Sequence, residues 1–279
     1  MTVLPAEFPL ADLAVLMTVL AGVGVLGGLI AGLLGVGGGI VIVPALFHVL
    51  GLLGVHEEVR MHVAVGTSLA TIVPTSIASM RTHLGRGAVD VALLKDWGVW
   101  IALGVLAGTA MAVQARGEVL TAIFAAVALL VAGHMAFIPE GVRLCGRLPT
   151  GAAKAGIAAL IGAVSAMMGI GGGTLTVPTL SLCGYPIHRA VGTASAVGLI
   201  IAVPAAIGFM ASGWQAEGLP PASLGHVSLP GLLAIIPFSL ITAPCGARLA
   251  HGMDKHRLRR VFALFLVLTS ARMIYSVFT

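Results

Sequence analysis

Apolar residues fall into ten runs separated by short polar or glycine-rich stretches. The first five are 10–34, 40–54, 63–80, 97–114 and 119–138; the second five are 155–169, 174–184, 190–211, 230–250 and 258–278. Several reach the ~20 residues that a helix needs to cross a bilayer, which predicts a chain of membrane helices. The runs 40–54, 155–169 and 174–184 are short, and 63–80 is marginal. At ~1.5 Å per residue, 174–184 extends only about 16 Å as a helix. Half-length segments beside glycine clusters predict broken or re-entrant helices.

Composition agrees and removes the alternatives. Of 279 residues, 58% are hydrophobic and 9% are charged, against the ~25% charge usual in soluble domains. Mean hydropathy is +1.09. A soluble enzyme of this size needs a charged surface that 25 charges (15 basic and 10 acidic) do not supply. The net charge of +5 does not indicate nucleic acid, because the basic residues form short clusters between apolar runs. Cys145, Cys183 and Cys245 lie far apart without CxxC spacing and read as small apolar fillers, neither metal ligands nor a disulfide framework. With Glu7 and Asp12 ahead of the first run and no basic region, no cleaved leader is expected.

Basic residues also set a direction. With the N-terminus outside and the ten segments alternating, four loops face the cytoplasm: 81–96, 139–154, 185–189 and 248–260. Those loops carry 12 of the 15 Lys and Arg, whereas the outer loop 212–229 carries none. The expected location is an inner (cytoplasmic) membrane, multi-pass, with both termini outside. Trp97, Trp100 and Trp214 near segment ends read as interface anchors.

The chain repeats itself. Gly35-Val36-Gly37-Gly38-Gly39, followed by Pro44, reappears as Gly169-Ile170-Gly171-Gly172-Gly173, followed by Pro178. Ala64-Val65-Gly66-Thr67-Ser68 returns as Ala190-Val191-Gly192-Thr193-Ala194-Ser195. Gly108 and Gly246 align next, as do Met135 and Met273. Five segments per unit is an odd number, so the second copy enters the membrane from the opposite side. The predicted architecture is therefore an all-α polytopic membrane protein with two inverted-topology repeats, 1–138 and 155–279, joined by a cytoplasmic linker, 139–154. Secondary transporters with such repeats bind substrate at the repeat interface near the midplane.

Paired GxGGG segments with a following proline, each succeeded by an A-V-G-T segment, resemble the sulfite exporter TauE/SafE family of bacterial membrane permeases. The resemblance spans about residues 10–278. It implies a permease for small anions, with sulfur-containing anions such as sulfite and sulfonates as the associated class.

The residues suggest how an anion would be held. Consecutive glycines expose their amides, and the short segments begin just after them, so Gly37, Gly38, Gly39, Gly171, Gly172 and Gly173 lie at helix N-termini, where free N–H groups favour an anion. Gly24, Gly28, Gly32, Gly104 and Gly108 read instead as packing glycines. On 63–80, Thr67, Ser68, Thr71, Thr75, Ser76 and Ser79 share one side of a helix and offer hydroxyl donors, unless they bond back to their own helix. Thr193 and Ser195 are their counterparts in the second half. His48 and His134 lie inside apolar runs, and Arg272 aligns with His134; His134 is the candidate for coupling transport to protons. His56, Glu57, Glu58, Arg60 and His62 read as a solvated outer loop without metal-site spacing. No Walker lysine motif, cofactor motif or catalytic constellation appears. The partners expected are the lipid bilayer, a small anion and a proton as its coupling ion. A passive anion channel and an assembly protein without a solute path are the alternatives that the sequence leaves open.

Overall fold

A computed structural model of the chain describes residues 10–34, 38–137, 145–250 and 255–278. Among these, ten helices follow the ten apolar runs: α1 Leu10–Leu34, α2 Gly39–Leu52, α3 Glu57–Gly85, α4 Val91–Gln114, α5 Gly117–Phe137, α6 Gly151–Met168, α7 Gly173–Leu182, α8 Ile187–Ser212, α9 Leu229–Ala250 and α10 Lys255–Phe278. Helices α3, α4, α5, α6, α8 and α9 are long and apolar enough to cross a membrane. A short antiparallel hairpin, β1 Ser223–Leu224 and β2 Val227–Ser228, occupies the loop before α9.

Local chemistry explains the ends. Helices α2 and α7 start directly after Gly38 and Gly172, and both run on through their prolines, Pro44 and Pro178. Helix α6 stops at Gly169, whose φ of 68° is left-handed and suits a residue without a β-carbon. Asp90 caps α4 by accepting from the Leu93 amide at 3.0 Å.

Helix α3 begins earlier than the hydrophobic run, and this corrects the reading of 56–62 as a solvated loop. Glu57 and Glu58 form its first turn, where carboxylates complement the helix dipole. Arg60 follows with its guanidinium folded back onto the Val55 carbonyl, at 3.0 and 3.2 Å, and over the Phe47 ring. His62 is only 6% exposed. A second correction concerns the cysteines. Cys145 and Cys183 form a disulfide, with Cα atoms 4.5 Å apart, because the segment before α6 folds back on the end of α7: the Cys145 amide donates to the Leu182 carbonyl at 3.2 Å. Spacing along the chain carries no trace of that contact.

Packing links the two halves of the chain. Helix α1 lies against α9, α4 against α6, and α3 against α8, while α5 pairs with α10. Small residues make these seams, since lipid supplies no hydrophobic drive between helices and close packing must hold them. A β-carbon added at Gly104 would lie 2.0 Å from the Ala159 carbonyl oxygen, and one at Gly108 2.4 Å from that of Ala163. On the α1–α9 seam, Gly24 meets the Ile235 carbonyl at 2.7 Å and Gly28 that of Ser239 at 2.6 Å in the same sense. All four were read as packing positions. Leu130, Leu160, Leu233, Ile241 and Val261 point outward from the helices, as residues facing lipid do.

Candidate functional site

The two glycine breaks meet inside the bundle. Gly39, the first residue of α2, abuts the α6–α7 break so closely that a β-carbon there would lie 2.5 Å from the Gly169 carbonyl oxygen and 2.9 Å from the Ile170 Cα. Gly171 faces Ile72 of α3 at 3.5 Å. Gly172 presses on α8, 2.7 Å from both the Ala194 carbonyl oxygen and the Gly198 amide nitrogen by the same measure. Ser68 of α3 donates to the Gly169 carbonyl at 2.7 Å, and a β-carbon at Gly198 of α8 would lie 2.5 Å from the Ser76 hydroxyl oxygen. Gly39, Gly171, Gly172, Gly173 and Ser68 are all buried, and Gly38 is half-buried. Gly37 lies outside the described residues. The start of α2 therefore meets the break between α6 and α7 beside Ser68 of α3, with Gly172 held against α8.

Two further hydroxyls of α3 are likewise used within the protein. Thr71 donates to the Ser68 carbonyl at 2.7 Å, and Thr75 to those of Thr71 and Ile72 at 3.0 and 3.1 Å. Those two follow the back-bonding habit of membrane helices. Ser195 behaves alike, donating to the Gly192 carbonyl at 2.6 Å.

The repeated A-V-G-T segments do something the sequence did not indicate. Thr193 accepts from the amide of Asp90, just before α4, at 2.9 Å, while a β-carbon at Gly192 would lie 2.5 Å from the Ala88 carbonyl oxygen. Thr67 accepts from the amide of Ser228, just before α9, at 2.9 Å, while a β-carbon at Gly66 would lie 2.4 Å from the His226 carbonyl oxygen. Each motif thus docks the extended segment that leads into a long helix of the other half. A threonine hydroxyl that accepts an amide retains its own proton and can still donate it.

The two docked segments carry different side chains. The Asp90 carboxylate accepts from the Tyr185 hydroxyl and from the Arg189 guanidinium at 2.9 Å, with that guanidinium also stacked over the Tyr185 ring. The Tyr185 hydrogen bond, the Leu93 amide and Arg189 hold the Asp90 carboxyl below its ordinary range, while burial and Asp90 push the Tyr185 hydroxyl up to about 12. The network is therefore an ionised carboxylate clamped by a neutral phenol and a cation. At the other docked segment stands a histidine pair, His62 and His226. Sequence reading missed both clusters, because their members come from segments far apart in the chain. His134 is half-buried near the end of α5, and no group of three or more potential metal ligands occurs among the described residues.

Comparison with known proteins matches residues 20–273 to the family model described as sulfite exporter TauE/SafE. A probable membrane transporter protein of Haemophilus influenzae is 35% identical over 253 residues, which is 90% of this chain and 95% of that one. The probable membrane transporter protein YunE of Bacillus subtilis is 24% identical over 92% of this chain and 97% of its own length. A probable membrane transporter protein of Methanocaldococcus jannaschii is 25% identical over 91% of this chain and 94% of its own length.

Proposed function

The chain belongs to the sulfite exporter TauE/SafE family and is a membrane transporter rather than an enzyme, and from that premise we propose that it is a secondary transporter for a small anion, a sulfur oxoanion or organosulfonate such as sulfite, working by alternating access between inverted halves. The observation that carries this reading is the meeting of the α2 N-terminus with the glycine break that precedes α7, beside Ser68. Amides of Gly38, Gly39, Gly171, Gly172 and Gly173 would hold the oxygens of the anion, with hydroxyls of Ser68, Thr67, Thr193 and Ser195 bordering the path. Paired positive helix ends bind an anion without introducing a fixed cation that would hold it too tightly to release.

Inverted repeats are supported by the way contacts recur. Gly28 meets Ser239 while Gly162 meets Ile101; Gly246 meets Leu29 while Gly108 meets Ala163; and the two A-V-G-T docks follow the same rule. In every case the residues exchange halves at offsets of 126, 134 or 138, the offsets of the duplicated motifs. A chain folded as two copies related by a two-fold axis produces such reciprocity, and an unrepeated chain has no reason to.

Two measurements test the proposal. In a thermal-shift panel on purified protein, sulfite and short sulfonates stabilise the fold at concentrations where simple carboxylates do not; equal shifts for all, or none, would remove the substrate class. For orientation, Glu217→Cys in the 212–229 loop reacts with an impermeant maleimide in intact cells of an inner-membrane expression host, and protection until lysis would reverse the N-out, C-out assignment.

A further inference from the structure

His62 is buried in an arrangement that a neutral imidazole does not satisfy. Its Nδ1 lies 3.1 Å from the Glu58 carbonyl, and its Nε2 lies 3.2 and 3.1 Å from the carbonyls of Ala112 and Ala115. All three partners are backbone oxygens, which only accept. A neutral ring has one N–H, so either choice of tautomer sets a nitrogen lone pair against a carbonyl oxygen. The imidazolium has a donor on each nitrogen and satisfies both sides.

His226 is its complement. The two rings lie 5.1 Å apart, with Phe209 6.4 Å from His62 and 6.3 Å from His226. The His226 Nδ1 meets the Ser212 hydroxyl at 3.2 Å, a partner that can donate as well as accept. His226 is therefore satisfied while neutral. Two charged rings at this separation, screened from water by Phe209, would repel each other.

Among the described residues, no ion pair reaches either ring. From α3 comes the Glu58 carbonyl, its side chain exposed; from the end of α4 come only carbonyls; from α8 come Phe209 and Ser212. Arg116 and Glu118 beyond α4 are exposed and paired with each other at 3.4 Å. The position in the fold matters equally. His226 sits in the hairpin segment whose carbonyl and amide dock on Gly66 and Thr67, next to Ser68 and the glycine breaks. A change of charge at the pair acts directly on the segment that covers that end of the bundle.

We propose that His62 and His226 form a site for a single proton, carried by His62 as an imidazolium with His226 neutral beside it, and that this is the site through which anion movement is coupled to protons. The proposal rests on the transporter reading for its second half, and stands on the geometry of the two rings for its first. Burial and the neighbouring His62 push His226 down to about 4. A His226 freed into water has the ordinary value of ~6.5. The docked hairpin is thus fully favoured above about pH 6.5 and loses that preference as pH falls through the interval down to about 4.

Two readouts separate the halves of the proposal. In protein labelled with ¹⁵N-histidine and titrated from about pH 8 to pH 4, with signals assigned by His62→Gln and His226→Gln, His62 acquires two protonated nitrogens while His226 still has one. Protonation of His226 first, or of both rings together, overturns the site whatever the protein transports. In liposomes with sulfite as the probe, His62→Gln retains sulfite-for-sulfite exchange but loses at least tenfold of the accumulation driven by a pH gradient. Unchanged pH-driven accumulation overturns the coupling role. A wild-type protein that exchanges no sulfite refutes sulfite as substrate and, with it, the coupling of sulfite to this proton; the titration then decides the site by itself.

Discussion

Gly172→Val reduces anion transport to about one hundredth or less of the wild-type rate while leaving the protein inserted and monodisperse. The glycine is not required for its backbone angles, since Gly172 has φ −57° and ψ −25°, ordinary for any residue. What excludes a side chain is proximity: a β-carbon would lie 2.7 Å from the Ala194 carbonyl oxygen, 2.7 Å from the Gly198 nitrogen and 2.8 Å from Val197 Cγ1. Two of these atoms belong to the α8 backbone and cannot rotate away, so α7 must move off α8. That movement shifts the start of α7 and the glycine break before it, which α2 meets beside Ser68. A hundredfold loss corresponds to ~2.7 kcal/mol of the barrier, the scale expected when a preorganised set of donors is displaced. Gly171→Ala is the matched control, because its β-carbon meets only the Ile72 side chain, Cγ2 at 3.5 Å and Cδ1 at 3.9 Å, both ordinary contact distances. Sulfite flux into liposomes measures both variants. Normal flux in Gly172→Val would show that the glycine break does not form the binding site.

Gly104→Leu prevents assembly of the bundle, with less than about a tenth of the protein recovered as a monodisperse species in detergent. Gly104, Gly108 and Gly162 bring the α4 and α6 backbones together at positions where a β-carbon would meet a carbonyl oxygen at 2.0, 2.4 and 2.1 Å. Clearing those carbonyls requires the helices to part by more than an ångström along the seam. Overpacking a core costs about 1–3 kcal/mol when side chains can yield; here the obstructing atoms are backbone and cannot. The seam is also one of those that join the two halves of the chain, so its loss removes a contact that holds them in register. Gly156→Leu, in the same helix α6, leaves recovery unchanged, because nothing lies within 4 Å of a β-carbon there. Size-exclusion profiles of the two variants side by side test the contrast, and equal recovery would refute the seam argument.

Much of this arrangement is legible in the amino-acid order. Each apolar run became a helix, and the starts of α2 and α7 fall at the repeated glycines. The packing role of Gly24, Gly28, Gly104 and Gly108 was also readable, since small residues spaced along apolar helices permit close approach. The first turns of α3 were not: Glu57, Glu58, Arg60 and His62 dilute the hydrophobic signal, yet the charges suit a helix N-terminus and the fold buries His62. The hairpin at 223–228 has strands of two residues, too short for alternation to register. The pairing of Cys145 with Cys183 depends on how the segment before α6 folds back, which no spacing encodes.

The division has a physical basis. In lipid every backbone amide and carbonyl must find its partner within its own helix, so helix positions and helix breaks are written in local hydropathy and in glycine, and the sequence by itself determined them. Duplication, also local in its record, determined that two such breaks would exist. Which groups complete one another was decided only by the tertiary structure. Thr193 holds an amide 103 residues away and Thr67 one 161 residues away. The His62 ring finds carbonyls 50 and 53 residues further along. Such partners depend on which helix faces which, and a threonine or histidine looks the same in the sequence whether its polar atoms meet substrate, solvent or a backbone from the other half.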